Sequence, residues 1–132
     1  MAALIKDINR IYELGDINEV QVKGGVMIYQ GAAVGSNAAG YAKPLQAEDQ
    51  FLGFAEEGAD NLIGSDGIKN VRIKKRGSVL LDIAGINLAA INKSVYATDD
   101  NSFTLVATNA VYIGKISRID ASGSALVEFS LV

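Results

Sequence analysis

Apolar and polar positions follow two different periods along this chain, and the change falls near Asp16. Before it, Leu4, Ile5, Ile8, Ile11 and Tyr12 recur at helical spacing, with Lys6, Asp7, Arg10 and Glu13 on the other side. Gly15 supplies a C-terminal stop. A helix this short holds only if its apolar face packs on something. Residues 1–19 therefore read either as a cover for one end of their own domain or as an arm, helical or extended, that docks on a partner or a neighbouring subunit.

Beyond Asp16 the period becomes two and the punctuation is Gly, Asn, Asp and Ser. Val20 and Val22 alternate with polar residues, and strands are predicted at 26–30, 32–34, 41–44, 51–56, 70–76, 79–83, 95–97, 103–106, 112–119 and 125–132. Residues 35–40 read as a loose hairpin turn, and 120–124 as the reversal before the last strand. In that strand Val127, Phe129 and Leu131 alternate with Glu128 and Ser130, one face buried and the other wet. Pro44 marks a strand end or a sheet edge, and residues 83–91 suit either a helical turn or a loop on the core. Many short strands with turns between them predict an all-β fold over residues 20–132, a small sandwich or barrel-like domain.

Composition narrows the chemistry. The 132 residues suit one domain and contain no Cys, no His, no Trp and a single Pro. Without Cys or His there is no disulfide, thiolate nucleophile, zinc site of the usual type or Ser-His-Asp triad. A net charge of −3 argues against sequence-independent binding of nucleic acid. The longest uncharged stretch, residues 24–42, is punctuated by five glycines and suits strands and turns better than a membrane span. The N-terminus has neither a basic leader nor an apolar run long enough for a signal peptide, so the expected compartment is the cytoplasm where the chain is made.

Two constellations deserve weighing. Lys69, Arg72, Lys74, Lys75 and Arg76 lie within eight positions. On one strand, Val71 and Ile73 would face inward while Arg72, Lys74 and Arg76 formed a positive stripe, either a solvated face or a contact for an acidic protein surface. With no aromatics interleaved, a single-strand nucleic acid groove is not expected. The pairs Glu48-Asp49, Glu56-Glu57 and Asp99-Asp100 raise a carboxylate-only hydrolase. Adjacent strand residues point to opposite faces, however, and 99–102 reads first as a turn. No dinucleotide fingerprint, P-loop or EF-hand loop is present, and the five tyrosines are scattered.

The order of segments is more telling than any single motif. The runs Gly25-Val26-Met27-Ile28-Tyr29-Gln30-Gly31-Ala32-Ala33-Val34, Ala39-Gly40-Tyr41-Ala42-Lys43-Pro44 and Phe51-Leu52-Gly53-Phe54-Ala55-Glu56-Glu57 resemble the capsid cement, or head decoration, proteins of tailed phages. The likeness continues through Asp60-Asn61, Gly67-Ile68-Lys69-Asn70-Val71-Arg72-Ile73, Lys93-Ser94-Val95-Tyr96-Ala97-Thr98-Asp99-Asp100 and Ile113-Gly114-Lys115-Ile116. It implies a small β domain on the outside of the virion, fastening neighbouring major capsid proteins after the shell expands, commonly as a homotrimer. It implies no catalysis and no cofactor. The chain before Val20 is longer and more helix-like than the short extended arm expected of the family. For capsid or subunit contacts the expected residues are Leu4, Ile5, Ile8, Ile11 and Tyr12 of the arm and Arg72, Lys74 and Arg76 of the stripe. The competing expectation is a receptor- or carbohydrate-binding β module of a phage tail or surface structure.

Overall fold

The structure is a computed structural model that describes residues 3, 5–7, 9–10, 15–121 and 123–131. It is all-β and sandwich-like, with three antiparallel sheets. The first large sheet contains β1 (Ile17–Gln21), β3 (Ala33–Ser36), β4 (Ala42–Pro44), β5 (Gln50–Ala55) and β7 (Asn70–Lys74), in the order β1-β7-β5-β3-β4. The second contains β8 (Arg76–Asp82), β9 (Ser94–Asp99), β10 (Ser102–Thr104), β11 (Val111–Ala121) and β12 (Ser124–Ser130), in the order β10-β9-β11-β12-β8. A two-stranded ribbon joins β2 (Val26–Ile28) to β6 (Ala59–Asn61).

Two cores follow from this layering. Ala33, Phe51 and Phe54 of the first sheet meet Leu81, Val95, Ile113, Ile116, Val127 and Phe129 of the second. On its other face the first sheet buries Val34, Ala55, Val71 and Ile73 against Ile28 and Ala59 of the ribbon. At the centre of the first core Phe54 meets Phe51 at 5.5 Å and Phe129 at 5.0 Å, edge to face, and such pairs each add about 0.5–1.5 kcal/mol beyond area burial.

Strict alternation would put Phe51 and Phe54 on opposite faces, since they lie three positions apart. A bulge in β5 corrects the phase. Val34 stands opposite Gly53, but the next residue of β3, Gly35, stands opposite Phe51, so Leu52 is extra. Gly53 takes φ +133°, and a Cβ there would lie 2.2 Å from the carbonyl oxygen of Lys74. The same device recurs in β11, where the register shifts between Tyr112 and Gly114 and both Ile113 and Ile116 are buried.

The turns follow from their side chains. Asn37 Oδ1 accepts from the N–H groups of Ala39 and Tyr41, closing the β3–β4 hairpin. Asp99 accepts from Asn101 N–H and from Ser102 Oγ, which makes 99–102 the turn between β9 and β10. Pro44 ends β4 on the edge of its sheet, and residues 83–91 contain a single 3-10 turn, Leu88–Ala90, capped by Asn87. The uncharged stretch 24–42 forms β2, β3 and their turns.

Four expectations change. The strand expected at 70–76 breaks at Lys75, whose N–H donates to Asp16 and whose carbonyl accepts from Leu131, so the chain passes from one sheet to the other there. β6 was not expected, because Ala-Asp-Asn has little strand propensity; its pairing with β2 imposes it. β1 begins at Ile17, ahead of the alternation that starts at Val20. Of the helix expected over 4–12, Leu4, Ile8, Ile11 and Tyr12 lie outside the described residues, while Ile5, Lys6, Asp7, Asn9 and Arg10 are not helical.

Candidate interaction surfaces

The basic stripe is real on β7 and stops there. Val71 and Ile73 are buried against the ribbon while Arg72 and Lys74 face solvent. Arg76 does not continue the row, because it opens β8 in the other sheet. The stripe is also compensated. Arg72 stands opposite Glu19 of β1 and lies 3.7 Å from Glu56, and Arg76 Nε donates to Asp16 Oδ1 at 2.6 Å. These pairs are too exposed to add much stability, but they offset the charges of Arg72 and Arg76. Of the expected arm contacts, Ile5 is 96% exposed; Leu4, Ile8, Ile11 and Tyr12 lie outside the described residues.

The acidic pairs are dispersed into turns and ion pairs. Asp49 is paired with Lys43 and also accepts from Gln46 N–H, Glu56 faces Arg72, and Asp99 caps its own turn. Asp100 differs. It borders a shallow hollow of about 410 Å³ with Tyr29 and Asn101, and burial, then the neighbouring Asp99 charge, pushes its carboxyl above the ordinary value. Folded Asp100 thus holds its proton to higher pH than unfolded Asp100 does, so stability falls as pH rises through that window and stays lower above it. Asp100→Asn is expected to stabilise the domain at pH 7 and to leave it unchanged below the ordinary value of 3.8. Urea titrations at the two pH values measure this; an equal gain at both would discount the charge.

An open cleft of about 630 Å³ crosses the outer face of the second sheet, with Asp16, Arg76, Tyr112, Lys115 and Glu128 on its walls. Lys115 stands directly opposite Glu128 across β11 and β12, so both cations there have a carboxylate beside them. Tyr112 is 51% exposed and packs edge to face on Tyr96 at 5.9 Å. Among the described residues no group of three His, Cys, Asp or Glu is placed to hold a metal ion.

The loop between β6 and β7 exposes Leu62, Ile63 and Ile68 to solvent. Asn61, 1% exposed, anchors it by directing its amide nitrogen at the carbonyls of Val22, Lys23 and Ser65, at 3.2, 3.1 and 3.0 Å. Gly24 N–H donates to Asp66 Oδ1 at 2.7 Å, and Gly67 N–H to Val22 at 2.9 Å. The backbone is thus tied down while its apolar side chains stay outside. The available signal is Leu62-Ile63 set inside a run of Asn, Gly, Ser and Asp, an apolar pair where a turn should be polar.

Comparison of the chain with protein-family models and with curated proteins gives no match to either.

Proposed function

We propose that this chain is a structural protein of a tailed-phage virion, a decoration or cement protein that binds the outer surface of the expanded head and fastens neighbouring major capsid proteins. The observation that carries this is the ordered set of segments from Gly25 to Ile116 that resembles the cement family. In the fold these segments supply the ribbon, β3, β4, β5 and β7 of the first sheet and the β9–β11 pair, which is scaffold. The braced loop with Leu62, Ile63 and Ile68 supplies a contact that needs no reactive group. A standard protein interface of about 1,600 Å² holds two proteins together, and copies repeated around a shell multiply the gain.

The test is binding to purified heads. The protein is expected to co-sediment stoichiometrically with expanded heads and to raise their disruption temperature, and Ile63→Asp is expected to weaken both while leaving the domain folded. Heads that neither bind the protein nor gain stability would overturn the assignment. One observation favours the second reading, a carbohydrate- or receptor-binding module: the cleft beside the Tyr96–Tyr112 pair. Saturable glycan binding lost in Tyr112→Ala, with no binding to heads, would establish that role instead.

A further inference from the structure

β2 ends at Ile28, which is fully buried, and the chain then turns back toward β3. Turns favour Gly, Asn, Asp and Ser, but the first residue of this one is Tyr29, 65% exposed. Tyr29, Gln30, Gly31 and Ala32 form one wall of the hollow of about 410 Å³, and Asp100 and Asn101 of the β9–β10 turn form the other. Both walls are held in place. Ala32 N–H donates to Tyr29 C=O at 3.1 Å and Gly31 N–H to Ala55 C=O at 2.9 Å, which fixes the first turn, while Asp99 closes the second. Ala33 N–H donates to Asp100 C=O at 2.9 Å and ties one wall to the other.

The side chains on this frame are left unused by the fold. Among the described residues no hydrogen bond engages the side chains of Tyr29, Gln30 or Asn101, and the Asp100 carboxyl accepts only from its own N–H. The larger cleft beside Tyr112 is the opposite case, because Arg76 is bonded to Asp16 there and Lys115 stands opposite Glu128. A rigid frame with one aromatic face and free polar groups suits a neutral polyhydroxylated ring. Such a ring has a face of C–H groups that packs on tyrosine, and hydroxyls around its rim that both donate and accept. An ionised Asp100 only accepts, whereas the amides of Gln30 and Asn101 do both. No cation lines the hollow, and the charge of Asp99 lies beside Asp100, so a phosphate or carboxylate ligand would meet a negative rim. The volume lies near the lower end of ligand sites and suits one or two rings.

We propose that the hollow between the 29–32 and 99–102 turns binds a neutral pyranose unit of a glycan, with one face of the sugar stacked on Tyr29 and its hydroxyls bonded to Asp100, Asn101 and Gln30. The two turns come from different sheets and are already joined, so binding orders side chains and not backbone. A single ring in a shallow site is expected to bind with a dissociation constant of roughly 1–10 mM. The inference does not rest on the decoration role, and it places the sugar away from the Tyr112 cleft.

Amide NMR titration of the full chain with methyl β-D-glucopyranoside and methyl β-D-galactopyranoside tests this, the methyl group standing for the rest of a glycan. Saturable shifts are expected at residues 29–32 and 99–101 with at least one of the two. Tyr29→Ala is expected to raise the dissociation constant at least about tenfold with the thermal melt unchanged, and Tyr29→Phe to keep the affinity of the parent. Asp100→Asn, which is expected to stabilise the domain at pH 7, should weaken binding at least about threefold by removing the charged acceptor. Absence of shifts at these residues with either glycoside at about 50 mM would overturn the proposal. So would undiminished binding in Tyr29→Ala or Asp100→Asn, or shifts centred on Tyr112 that Tyr112→Ala abolishes.

Discussion

Asn61→Ala is expected to cost the domain about 2–3 kcal/mol and to lower its melting temperature by roughly 10 °C. The orientation of the amide is determined by its surroundings. Three carbonyl oxygens face its nitrogen, and the reversed amide would set oxygen against all three. The Oδ1 atom is buried with no hydrogen-bond partner, in space left by Gly64, whose Cβ would lie 2.0 Å from it. Alanine removes the donors, which leaves the carbonyl of Lys23 without this partner and those of Val22 and Ser65 with only the N–H groups of Gly67 and Ile68. Asn61→Asp has nearly the same shape and is expected to be worse at pH 7, because a carboxylate faces the same three oxygens. It should recover part of the loss on acidification, since the protonated carboxyl can donate. Urea unfolding at pH 7 and pH 4 separates the two effects, and a loss below about 0.5 kcal/mol for both variants would contradict the anchoring role.

The second large effect is expected at Gly53→Ala, at least about 3 kcal/mol, with loss of the cooperative melt as the extreme outcome. Two costs combine there: φ +133° is foreign to an L residue, and the new methyl meets Lys74 backbone at 2.2 Å, which cannot swing aside as a side chain would. Relief requires β5 to separate from β7 or the bulge to be lost, and loss of the bulge withdraws Phe51 or Phe54 from the core. Gly31→Ala is the control. Gly31 also has a positive φ, +87°, but open space around its Cβ position, so only the conformational cost of about 1 kcal/mol applies. Equal losses at the two positions would show that close approach to Lys74 is irrelevant.

These two sites mark where the sequence stops being legible. Period-two alternation identifies the buried faces of β7 and β12 correctly, because both strands are regular and wet on one side. It fails at Phe51 and Phe54, and at Ile113 and Ile116, which share a core only because a bulge next to a glycine shifts the phase. The spacing of two apolar residues three apart around a glycine is the visible trace of that device. Asn61 carries no local signal, since the carbonyls it serves at Val22 and Lys23 lie about forty positions away. The basic stripe is half legible for the same reason: alternation exposes Arg72 and Lys74, but compensation by Glu19 and Glu56 depends on strand neighbours remote in sequence. The break at Lys75 is hidden because each half reads as strand.

That break also sets how the domain would carry a mechanical load. Asp16 and Leu131, near the two ends of the β domain, are both hydrogen-bonded to Lys75, one through its N–H and the other through its C=O. A pull on the chain at its two ends is therefore received at one corner, on opposite sides of a single residue, and not along the length of either sheet. Strands β1 and β12 would be peeled from that corner bond by bond, the weak direction for a β ladder, while a push spread over the sheet faces would meet the packed phenylalanine core.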